Sequence, residues 1–186
     1  MSYSSSLKTT KLLVLHSFSK AVTFYRLGLF IFILILFGNC ASRKARIRDE
    51  QVKEVIKAAR TFTGTPYKWG GTTRSGMDCS GLTGNAFQAV NLTLPRTADA
   101  QAEVGEKIKK KDVKPGDLLF FATGKKKREI THVGIVTEVK RKDNVKFIHA
   151  STTLGVVETN LYSEYYEKRF RAARRIIDWS QLHLTK

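Results

Sequence analysis

Three observations predict an α+β fold. Two segments, 49–63 and 79–90, carry apolar residues at helical spacing, and most of the chain from residue 117 onward reads as short β-branched or aromatic strands. The main helical segments precede the strands, an order that places helices against an antiparallel sheet.

Val52, Val55, Ile56, Ala59 and Phe62 recur at helical spacing and predict an amphipathic helix from about Asp49 to Thr63, ending before Gly64 and Pro66. Leu82, Ala86, Phe87, Ala89 and Val90 do the same over 79–90, with Asp78 a suitable N-cap just ahead. A short helix is expected after Leu94-Pro95-Arg96-Thr97, with Thr97 as its cap. Pro115-Gly116 turns the chain into a first strand, Asp117 to Phe121. Strands from His132 to Val139 and from Val145 to Ala150 flank the charged segment 140–144 as a hairpin. Val156 to Thr159 and Ala172 to Ile177 complete a sheet of about five strands, with a helix from Leu161 to Phe170 between the last two.

The N-terminus is built differently. Met1 to Arg26 hold four bases and no acid, and an apolar run from Leu27 to Phe37 follows. That run is shorter than the ~20 residues a bilayer span needs, so it predicts the core of an export signal. The expected organisation is a signal peptide over 1–39, a tether over 40–48, a catalytic domain over 49–180 and a tail over 181–186.

The formal charge is +17, and the first 39 residues hold four of the bases and no acid, which leaves +13 for the remainder. Basic clusters lie at 107–111, 125–128, 140–142 and 169–175. Clusters of this kind neutralise phosphates, but no nucleic-acid motif accompanies them and an export signal removes that ligand. An anionic lipid or cell-wall polymer is the expected counterpart, and nucleic acid is not.

The chemistry centres on Asp78-Cys79-Ser80-Gly81. A cysteine in the first turn of a helix lies where unpaired N–H groups favour a thiolate, and a neighbouring imidazole adds to this. His132 near the start of one hairpin strand and His149 near the end of the next fall at the same end of the pair, close enough for an imidazole–imidazole hydrogen bond. A core cysteine and two packed histidines are the bland alternative. A zinc site from Cys79, His132 and His149 is the sharper one, although the chain has no CxxC, HxxxH or HExxH spacing. No metal or cofactor is expected.

Tyr67-Lys68-Trp69-Gly70-Gly71, Met77-Asp78-Cys79-Ser80-Gly81-Leu82, Leu94-Pro95-Arg96-Thr97, Lys114-Pro115-Gly116-Asp117-Leu118, His132-Val133-Gly134-Ile135 and Ile148-His149-Ala150 resemble, in order and spacing, the NlpC family of papain-like peptidoglycan endopeptidases. The resemblance covers about Asp49 to Asp178. It implies Cys79 as nucleophile, His132 as general base and His149 as the residue orienting it, with Tyr67 beside the thiol and Asp78 and Ser80 towards the substrate peptide. It further implies hydrolysis of peptide bonds in peptidoglycan stems or cross-links. A thiol acyltransferase or amidase of the same fold and a silent wall-binding lipoprotein stay open beside it.

Gly38-Asn39-Cys40 resembles a bacterial lipoprotein cleavage site, which implies acylation of Cys40. With Cys40 so used and Cys79 catalytic, no pair remains for a disulfide. By the same resemblance the expected place is the outer membrane, facing the periplasm, as a lipid-anchored monomer.

Overall fold

The computed structural model describes residue 43, residues 45–141 and residues 143–177. The chain divides into two compact units, Met1–Arg46 and Ile47–Lys186. The expected signal peptide, Cys40 and the 181–186 tail lie outside the described residues. No helix among those described is long and apolar enough to cross a membrane.

Helix α1 occupies residues 45–60, starting earlier than the apolar spacing alone indicates, and residues 45–48 of the expected tether are helical. Its end is tighter than expected: Phe62 and Thr63 donate to carbonyls three residues back, 3.1 Å each, and Gly64 follows at φ +82°. A two-stranded ribbon comes next, β1 Thr72–Thr73 and β2 Gly76–Met77. Then come α2 Cys79–Gln88, α3 Ala98–Gln101 and β3 Glu106–Ile108. The remaining elements are β4 Leu118–Phe121, β5 His132–Arg141, β6 Asn144–Ser151, β7 Gly155–Asn160, α4 Glu164–Arg169 and β8 Phe170–Arg175.

The main sheet has six antiparallel strands, in the order β3-β8-β4-β5-β6-β7. The expectation of about five strands is therefore corrected, because the edge strand β3 is added. Two of its three residues are exposed lysine and glutamate, so it carries no alternation that periodicity could detect. The Ala172 to Ile177 strand begins two residues earlier, at Phe170, directly off α4.

Strand β4 explains the layering. All four of its residues are buried, as expected of a strand covered on both faces. Leu118 and Phe120 join α1 and α2 residues Val55, Ala59, Leu82, Ala86 and Phe87 in one core, while Leu119 and Phe121 join Val136, Phe147 and Leu161 in another, which Tyr166 of α4 flanks. The turn ahead of β4 is held by Asp117, which accepts two hydrogen bonds from Arg175 of β8, both 2.8 Å, and one from the Lys114 amide.

Candidate active site

Helix α2 begins at a knot tied by Asp78. Its Oδ1 accepts from the Gly81 amide at 2.6 Å, the N-cap bond predicted for this residue, and its Oδ2 accepts from the Gly70 amide at 2.9 Å. Arg96 donates bidentately, Nη2 to Oδ2 at 2.6 Å and Nη1 to Oδ1 at 3.0 Å, and Nη1 also reaches Ser80 Oγ at 2.9 Å. One carboxylate therefore joins the Trp69–Gly71 loop, the start of α2 and the Arg96 loop. Its oxygens are occupied by the protein's own donors, and Asp78 and Ser80 are both buried. Arg96 is the member of this knot that the site reading omitted; it lies 18 residues from Asp78, too far for any local spacing rule.

Glycine makes the knot possible at Gly81, where a Cβ would overlap the Gly71 carbonyl and lie 2.9 Å from Asp78 Oδ1. Thr83, fully buried on α2, has its hydroxyl 2.7 Å from Gln101 Oε1, and Gln101 Nε2 donates to the Pro95 carbonyl at 2.8 Å. That contact ties α3 and the Arg96 loop to α2.

Cys79 occupies the first position of α2 and is 8% exposed. Burial pushes its thiol above the ordinary value and the Asp78 charge adds to this, while the backbone N–H groups of Val133, Ser80 and Cys79 itself oppose it. The backbone N–H groups expected to favour a thiolate are in place and lower the thiol, while desolvation acts the other way and is the larger influence. Tyr67 lies close enough to feel the negative charge of Cys79 and Asp78, which, after burial, raise its phenol.

The imidazoles come from β5 and β6. Ile135 pairs with Ile148, so His132 and His149 fall at the same end of the hairpin. His132 Nε2 lies 3.0 Å from His149 Nδ1, the contact expected from sequence. Gly134 leaves room for β6 beside it, since a Cβ there would lie 2.6 Å from the Phe147 ring and 3.1 Å from His149 Cβ. His149 Nε2 is 3.1 Å from Thr159 Oγ1 on β7, and Tyr166 Oη is 3.5 Å from His149 Nδ1.

These contacts are compatible with a proton arrangement that suits a general base. If His149 Nε2–H donates to Thr159, His149 Nδ1 is an acceptor for His132 Nε2–H, and His132 Nδ1 is left as the basic nitrogen. Phe121, Phe147 and Tyr166 pack around the pair. Burial lowers His132 to about 4; burial and then the His132 charge lower His149 to about 3. Both rings are neutral at pH 7. Thr159 and Tyr166 were missed in the sequence because a strand threonine and a helix tyrosine carry no local mark of such a role.

A buried thiol at a capped helix N-terminus, on the face of an antiparallel sheet whose end carries a hydrogen-bonded imidazole pair, defines the papain-like class of thiol hydrolase folds. Residues 64–175 match the NlpC/P60 family model, and the chain belongs to the NlpC/P60 family. It is 36% identical over 159 residues to the probable endopeptidase NlpC of Escherichia coli (strain K12), covering 81% of this chain and 99% of that one. It is 34% identical over 136 residues to the murein DD-endopeptidase MepS/murein LD-carboxypeptidase of the same strain, covering 72% and 68%. The crystal structure of an NlpC/P60 family protein from Bacillus cereus ATCC 10987 superposes with a TM-score of 0.62 at 29% identity, covering 68% of this chain and 40% of that one.

Proposed function

We propose that this protein is a cysteine endopeptidase that cuts peptide bonds in the stems or cross-links of peptidoglycan. The observation that carries the reading is the 3.0 Å His132–His149 contact, at the sheet end where the Val133 amide faces the Cys79 sulfur. In this reading Cys79 Sγ attacks the carbonyl carbon as His132 Nδ1 takes the thiol proton. His132 then gives that proton to the leaving amine, and a water deprotonated by His132 hydrolyses the thioester. Moving the proton at the moment of attack suits a resting pair that is thiol and neutral imidazole. The backbone N–H groups of Cys79 and Ser80 are candidate oxyanion donors. Tyr67 and Trp69, the latter 86% exposed on a loop held by Asp78, would line the peptide path, with Arg96, Asp78 and Ser80 at its floor.

The names of the relatives support the substrate class, and one of them carries two activities, a DD-endopeptidase and an LD-carboxypeptidase. Mass spectrometry of muropeptides digested with residues 41–186 identifies the scissile bond. The expected result is new amine and carboxyl ends with the wild type and none with Cys79→Ala. Cleavage by Cys79→Ala would remove it as nucleophile, and chelator sensitivity would favour a metal.

The proposed organisation is a lipoprotein signal over 1–39, acylation at Cys40, and a monomeric catalytic domain held at the outer membrane facing the periplasm. Sequence features alone support this. Fractionation should find wild type in the membrane with acyl mass and Cys40→Ala soluble yet active on isolated walls; soluble, unacylated wild type would sink the anchor.

A further inference from the structure

Where β4 passes into β5 the chain carries Lys125-Lys126-Lys127-Arg128, and residues 124–129 are exposed. The loop is built rather than loose at its base. Thr131 Oγ1 accepts from the Thr123 and Gly124 amides at 3.0 and 3.1 Å, and the Thr131 amide donates to the Phe121 carbonyl at 3.0 Å. Its far side is tied to β8, where Arg171 Nε donates to the Lys127 carbonyl at 2.6 Å.

The charges of this loop are poorly balanced. Glu129 pairs with Lys126 at 3.4 Å, whereas among the described residues no acid pairs with Lys125, Lys127 or Arg128. Alongside, Arg171 and Arg169 spend their donors on main-chain carbonyls, and Arg169 lies 3.8 Å from the centroid of the Tyr165 ring. Five cations are thus gathered without a carboxylate partner.

Position says what they face. Phe121 and His132 are cross-strand partners, so the loop between them leaves the sheet at the end where the imidazole pair lies, and it returns to the sheet at His132, next to the Val133 amide that faces the Cys79 sulfur. We propose that the 124–129 loop is a binding lip for the free carboxylates of the substrate peptide, a proposal that rests on the peptidoglycan reading above. Lysine ammonium groups on an exposed loop act as hydrated point charges, which attract at a range of about 8–10 Å and fade with salt. A membrane is the poorer fit, because lipid seated on this loop would crowd the sheet end that carries the imidazole pair.

The test uses the mature chain carrying Cys79→Ala, which binds without cutting, and the same protein with Lys125→Gln, Lys127→Gln and Arg128→Gln added. Both are titrated with a soluble peptidoglycan fragment bearing free carboxylates, with that fragment after amidation of its carboxyls, and with phosphatidylglycerol-containing vesicles. The expected result at low salt is a loss of roughly tenfold or more in affinity for the free fragment on triple substitution. The same loss should appear on amidation with the loop intact, and amidation should matter little once the loop is neutral. Unchanged affinity, an equal loss on the amidated fragment, no binding by the parent, or an effect confined to vesicles would each overturn the lip. If wild type fails to cut the fragment yet its Cys79→Ala form binds it through the loop, the peptidase reading fails and the lip stands.

Discussion

His149 is fully buried and still meets polar neighbours on both ring nitrogens. That pairing is what separates an orienting residue from a core histidine, since it selects one tautomer and one ring plane. His132→Ala is expected to lower kcat by ~10²–10⁴, the usual worth of positioned proton transfer. His149→Asn, which can still accept from His132, should retain partial activity. Thr159→Val should lose several-fold in kcat with KM unchanged, because the hydroxyl touches only the second ring. Steady-state kinetics on a defined muropeptide measure all three, and equal losses in His132→Ala and His149→Asn would refute the division of labour. At this scale the two histidines were legible from strand patterning, while Thr159 was not, because strand β7 presents it across a register that only the folded sheet sets.

Helix α2 owes its position to its first turn. Asp78 as cap could be read from one residue type before an apolar helical period, yet the same carboxylate also holds Gly70 and Arg96, contacts that no periodicity encodes. The helix also lacks a margin at its start, where Gly81 runs against the Gly71 carbonyl. Gly81→Ala is expected to force the Trp69–Gly71 loop away and destabilise the fold by ~1–3 kcal/mol, the range for overpacking a tight site. Urea unfolding gives the loss, and a wild-type midpoint in Gly81→Ala would show that the loop yields freely. The element order from α1 to β8 was otherwise readable from period and turn residues. The β1–β2 ribbon escaped because two-residue strands fall below any pattern, and β3 because Glu106 and Lys107 are exposed and only Ile108 packs on the core.

Across the molecule, the sheet is the common frame: its buried strand β4 separates the α1–α2 core from the Phe121–Phe147 core, and the candidate site forms where both meet one end of β5. Such a frame follows from helices preceding strands, which was legible. Thr83 on Gln101 and Arg175 on Asp117, which lock α3 and β8 into place, were not, since each joins residues far apart in the chain.

Packing two imidazoles among Phe121, Phe147 and Tyr166 also ties the protein's resistance to acid to its catalytic pair. In the unfolded chain a histidine takes up a proton near pH 6.5, whereas here His132 and His149 resist protonation down to about 4 and about 3. Between those limits the unfolded state binds more protons, so stability is complete above about pH 6.5 and drains away as pH falls, at up to ~1.4 kcal/mol per pH unit for each ring. Urea midpoints measured from pH 7 to 4 should therefore fall about half as steeply for His149→Asn as for wild type, and parallel curves would show that neither ring governs the acid limb. Acid therefore acts against the fold through the same two rings on which its chemistry depends.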